Sequence, residues 1–214
     1  GCTDAMIYYA SVLDKSENSE TNKKEVLKYY KMAADLENTK AMKYYSIMLS
    51  NGDGVEVNMD EALNYIKKAV EKGDPDAINR YAVMLIDGDG VEPNIEEGIK
   101  YLKMAIDKGY PEAFENYANL LKNGVGVELN RRKALKYYKM AIEKGCPDAK
   151  EEYEQLLHSI ENEEEEEEEE YLEKTPRIKR RRSLPSLNRT ILAEFNKVDE
   201  KGKRNIINAE NEDL

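Results

Sequence analysis

The sequence predicts an all-α solenoid, a row of stacked helical hairpins closed by a capping helix and followed by a disordered tail. Three observations predict it. The chain resembles itself at a spacing of 36 residues, its apolar residues recur at helical spacing within each copy, and glycine, asparagine and proline punctuate every copy at matching places. Composition agrees: 36% of the 214 residues are charged, the net charge is −11, and two Phe with no Trp leave little material for one large globular core.

In chain order, residues 3–38 form a weaker first copy, and residues 39–74, 75–110 and 111–146 align with one another without a gap. Ala5, Ala41, Ala77, Ala113 and Ala149 share one phase, as do Tyr9, Tyr45, Tyr81, Tyr117 and Tyr153, and Leu13, Leu49, Leu85, Leu121 and Leu157. Gly1-Cys2-Thr3-Asp4-Ala5 matches Gly145-Cys146-Pro147-Asp148-Ala149, so the first two residues read as the end of an earlier copy.

The first half of a copy carries one stripe, Ala41, Tyr45, Met48 and Leu49, and the second half another, Ala62, Leu63, Ile66, Ala69 and Val70. Two facing stripes make a hairpin. Gly52, Gly88 and Gly124 end the first helix, because glycine takes the positive φ needed there. Asn22, Asn58, Asn94 and Asn130 stand where the second helix needs an N-cap, and Glu25, Glu61 and Glu97 follow three residues later as in a capping box. Gly73, Gly109 and Gly145 close the second helix, and Pro75, Pro111 and Pro147 open the next. Ala10, Ser46, Ala82 and Ala118 are small enough for a neighbouring helix to come close. The tyrosine pairs Tyr8-Tyr9, Tyr29-Tyr30, Tyr44-Tyr45 and Tyr137-Tyr138 are expected to pack, one ring in the hairpin and its neighbour on the rim.

Ala41, Tyr45, Ser46, Leu49, Gly52, Gly54, Val55, Asn58, Ala62, Leu63, Tyr65 and Ala69, with their equivalents 36 and 72 residues on, make a pattern that resembles the SEL-1-like repeat family, a tetratricopeptide-related class. The resemblance covers roughly residues 1–160. It departs where the family's Leu-Gly pair is Tyr-Ser or Tyr-Ala, where its aspartate before the second helix is Asn, and where the first copy has Ser16 and Asn18 for the loop glycines. It implies a right-handed superhelix of hairpins acting as an adaptor or scaffold. Some secreted bacterial members carry a disulfide in every repeat and are linked to β-lactam binding. This chain has only Cys2 and Cys146, four periods apart. Helices stacked at about 8–10 Å hold these far beyond the roughly 7 Å between Cα atoms that a disulfide spans. Reduced thiols suit a cytoplasmic protein, with the nucleus as the alternative.

No P-loop, metal-ligand spacing or glycine fingerprint after a strand is present, so no cofactor, metal or small-molecule substrate is expected and the chain reads as no enzyme. Asp53 and Asp89 lack the spacing of a calcium loop, and His158, the one histidine, reads as a surface residue beside the last stripe. No apolar run is long enough to cross a membrane.

A solenoid binds along its first helices. The row beside the core stripe varies between copies: Lys40, Lys43, Ile47 and Ser50; Asp76, Asn79, Val83 and Ile86; Glu112, Glu115, Asn119 and Lys122. The candidate partner-binding residues are Lys43, Ile47, Asn79, Val83, Ile86, Glu115, Asn119 and Lys122, joined by Arg131 and Arg132, basic residues at a helix start where acids are favoured.

The array is expected to end with a capping helix over 147–160, an acidic low-complexity linker over 161–173 that includes eight successive glutamates, and a basic, mostly disordered tail over 174–214. Lys179, Arg180, Arg181 and Arg182 form a candidate import signal, and Ser183, within R-x-x-S-x-P, a candidate phosphorylation site resembling a 14-3-3 motif. The leading functional expectation is a protein-interaction scaffold. The alternatives are a regulatory or targeting repeat region of a larger signalling enzyme such as a kinase, and nucleic-acid binding through the basic tail, which the acidic balance of the chain opposes.

Overall fold

The computed structural model describes residues 2–15 and 20–174, and every regular element among them is a helix. The helices are α1 (Cys2–Lys15), α2 (Glu20–Asp35), α3 (Thr39–Asn51), α4 (Met59–Glu71), α5 (Pro75–Asp87), α6 (Ile95–Asp107), α7 (Pro111–Asn123), α8 (Arg131–Glu143) and α9 (Ala149–Lys174). The chain divides into two units, Gly1–Leu156 and Leu157–Leu214, with α9 spanning the division. The basic tail, with Lys179, Arg180, Arg181, Arg182 and Ser183, lies outside the described residues.

The first unit is the solenoid. In α1 to α8 each odd helix packs on the following even one as a hairpin, and α2, α4 and α6 each pack on the first helix of the next copy. Both expected stripes face inward: Ala41, Tyr45, Met48 and Leu49 are buried, as are Ala62, Ile66 and Ala69, while Leu63 and Val70 are half-buried. The first helices end as the glycines require. Gly52, Gly88 and Gly124 sit at φ 76°, 75° and 69°, and each donates its N–H to a carbonyl four residues back.

The second helices begin at Asn58, Asn94 and Asn130, whose side chains accept from the N–H groups of Glu61, Glu97 and Lys133. The reciprocal arm of the capping box differs from expectation. The Glu61 and Glu97 carboxylates accept from the side-chain amides of Asn58 and Asn94, each at 3.1 Å. The backbone N–H of each cap is engaged elsewhere, donating to Leu49 O, Leu85 O and Leu121 O at 3.0, 2.7 and 2.8 Å. That bond ties the start of each second helix to the first helix, while the side-chain amide explains asparagine at 58 and 94: an aspartate has no amide to give the glutamate.

Asn22 is a correction. α2 begins at Glu20, so Asn22 lies inside the helix and not at its N-cap position. The first copy is also the one whose sequence lacks the loop glycines, with Ser16 and Asn18 in their places. Pro75 and Pro111 open α5 and α7, whereas Pro147 lies in a bend before α9.

The tyrosines hold the hairpins together more fully than a ring-in, ring-out scheme allows. Tyr9–Tyr29, Tyr45–Tyr65, Tyr81–Tyr101 and Tyr117–Tyr137 meet edge to face at 4.8, 4.8, 5.1 and 4.8 Å between centroids. In the pairs Tyr29-Tyr30 and Tyr137-Tyr138 both rings therefore pack, since Tyr30 and Tyr138 are themselves buried. Burial raises the Tyr30 phenol to about 12. Small residues bring the backbones close: a methyl added at Gly98 would lie 2.9 Å from Ala82 O on the facing helix.

The helix expected to stop at residue 160 runs to Lys174, through the glutamate run. Glutamate is a good helix former, and neither Gly nor Pro interrupts the sequence before Pro176. Lacking a core does not by itself end a helix.

Candidate partner-binding face

Helix α5 touches both α3 and α7, so the first helices of three copies lie side by side. Hydrogen bonds tie α3 to the start of α5, and α5 to α7, along this row. Thr39 Oγ1 donates to Asp74 at 2.6 Å, and the Lys43 ammonium, 4.3 Å from the Tyr44 ring centroid, pairs with Asp76. Asn116 Nδ2 donates to Asn79 Oδ1 at 3.0 Å. Further along, Cys146 Sγ donates to Glu115 at 3.0 Å, and Lys122 pairs with Glu152 at 2.6 Å. Burial, followed by the bond to Glu115, pushes the Cys146 thiol up to about 11, so it remains a neutral donor.

These contacts account for the variation between copies. A lysine at 43 is matched by an aspartate at 76, an asparagine at 79 by an asparagine at 116, and a lysine at 122 by a glutamate at 152. Much of the polar row thus stitches neighbouring copies together. Ile47 and Val83 are half-buried along it. Two expected members turn into their own hairpins: Ile86 lies against Gly98 of α6, and Asn119 accepts from the Tyr138 hydroxyl of α8. Arg131 is half-buried and Arg132 exposed in the first turn of α8, which carries no acid.

One residue of this face escaped the sequence reading. Arg80 occupies the phase of Tyr8, Tyr44 and Asn116, one position beyond the row considered. Its Nη2 donates to Ser50 Oγ at 3.4 Å, bridging α5 to α3. Its Nε is buried with no acceptor, the one such side-chain atom among the described residues. The visible signal was a cation in a phase otherwise held by neutral residues.

Among the described residues no group of His, Cys, Asp and Glu is arranged to hold a metal ion. His158, in the second unit, is exposed, with its Nε2 3.3 Å from Asn162 Nδ2. A recess of about 390 Å³ beside Asp35, Glu37, Tyr65 and Lys72 is lined by groups that bond one another, Tyr65 to Asp35 at 2.6 Å and Lys72 to Glu37 at 3.0 Å. No described helix is long and apolar enough to cross a membrane.

Residues 3–38, 39–74, 75–110 and 111–146 each match the Sel1 repeat, in the register read from the sequence. The chain belongs to the Sel1 repeat family. A Sel1 repeat protein from Oxalobacter formigenes is similar over 69% of this chain and 60% of its own, at 28% identity and a TM-score of 0.61. A protective antigen of uropathogenic Escherichia coli strains, displaying an SLR fold, shares the fold over 56% of this chain and 26% of its own, at 24% identity and a TM-score of 0.51. The similarity thus spans less than two thirds of either protein. No curated protein matches significantly.

Proposed function

We propose that this Sel1 repeat chain is a non-catalytic scaffold that binds partner proteins on the face made by α3, α5 and α7. The observation that carries the reading is the cross-copy bonding of Lys43 to Asp76 and Asn116 to Asn79, which fixes the three helices relative to one another. A fixed face loses little conformational entropy on binding. Ile47 and Val83 supply its half-buried apolar floor, and Lys43, Asn79, Glu115 and Lys122 its polar margin. Asn119 and Ile86 support the hairpins behind it.

The free thiols of Cys2 and Cys146 favour a cytoplasmic setting. The domain limits of this reading are a repeat array over 1–160, with an acidic segment and then a basic regulatory tail beyond it.

A photo-crosslinking residue placed at Val83 tests the face. It is expected to capture a specific protein, while the same residue at Met104, exposed on α6, captures none. Capture from Met104 alone would move the binding surface to the second helices.

A further inference from the structure

Arg80 is under-satisfied where it rests. A buried guanidinium nitrogen without an acceptor carries a desolvation cost that nothing returns, and the bond of Nη2 to Ser50 is long at 3.4 Å. Ser50 is itself engaged, donating to Ile47 O at 2.9 Å. The carboxylate one turn before Arg80 on the same helix, Asp76, is held by Lys43 and by the hydroxyl of Tyr110. The side chains in the same phase of the adjoining copies are occupied: Tyr44 stacks on Tyr30 at 5.1 Å, and Asn116 bonds Asn79. Among the described residues Arg80 is therefore the cation of this face that keeps a buried nitrogen, Nε, without an acceptor.

Resting on the scaffold reading, we infer that Arg80 anchors one carboxylate of an extended segment of a partner protein, an aspartate or glutamate side chain, laid across α3, α5 and α7. In the resting rotamer Nε is covered. A turn of the side chain away from Ser50 exchanges a covered donor and a long bond for two parallel charge-assisted bonds from Nε and Nη2, the fork geometry that arginine offers a carboxylate. The local charge fits a carboxylate better than a phosphate. Lys43 is neutralised by Asp76, which leaves a single positive charge for a single negative one. Ile47 and Val83, half-buried beside Arg80, would take apolar side chains flanking the acid.

The test is a random linear peptide library displayed on phage and selected on the full chain and on its Arg80→Gln and Arg80→Lys variants, with helicity checked for each. The unaltered chain is expected to enrich peptides with Asp or Glu at one fixed position. Arg80→Gln should weaken the selected peptide by about tenfold or more and erase the acid preference, while Arg80→Lys retains the preference at lower affinity. Enriched peptides without a fixed acid, an acid preference that survives Arg80→Gln, or tighter binding when phosphoserine replaces the acid would each overturn the assignment. If Arg80→Gln fails to fold, the Arg80→Lys comparison decides, because equal affinity there removes the role of the fork. Enrichment of no peptide by any of the chains would overturn the scaffold reading underneath, a different failure from enrichment without an acid.

Discussion

The first and third copies of the repeat share a phase but not an environment. In the third, Tyr81 is 7% exposed and Met84 3%, because α4 of the preceding copy lies against them and Lys67 stands 5.7 Å from the Tyr81 ring centroid. Their counterparts on α1, Tyr9 and Val12, are 46% and 50% exposed, and Tyr8 beside them is more open still. The same residue type at the same position is thus core in one copy and surface in another. A repeat supplies only half of its own core, and the neighbour supplies the rest.

The largest expected effect tests this directly. Tyr81→Ala should cost roughly 3–5 kcal/mol, as truncation of a buried aromatic does, whereas Tyr9→Ala should cost clearly less, both read from urea denaturation followed by circular dichroism. Equal costs would mean that burial by the preceding copy contributes nothing. A smaller effect concerns the helix starts. Asn94→Ala removes a true N-cap and should lower stability by about 1 kcal/mol, read from the same denaturation. The smallest concerns the helix ends. Glu37 holds φ 65° where the other copies have Gly73, Gly109 and Gly145. Gly109→Glu should therefore destabilise by about 1 kcal/mol. Glu37→Gly should gain a fraction of that, because it also gives up an exposed ion pair with Lys72. A Glu37→Gly chain less stable than the original would place the ion pair above the backbone strain.

Most of the fold was legible because it is local. Glycine at 52, asparagine at 58 and proline at 75 act within a turn or two of the chain, and the period multiplied each signal. Asn22 was misread because phase alone was used, in the one copy whose loop lacks the glycines. The continuation of α9 was missed because the glutamate run was judged for its lack of a core, although helix formation needs none. The candidate face was legible in position but not in purpose. Reading residues at equal phase compares 43 with 79 and 115, whereas the bonds run from 43 to 76 and from 79 to 116, across phases and between copies. Arg80 lay beyond reach for a related reason: a covered nitrogen is a property of packing that no spacing announces.

The far end of the array carries a consequence for self-association. Piles of like units run away into fibres when the top of one molecule fits the bottom of the next. On the early turns of α9, Lys150, Glu151 and Glu154 are exposed to solvent, and any apolar face arriving from another molecule would have to strip them of water at a loss.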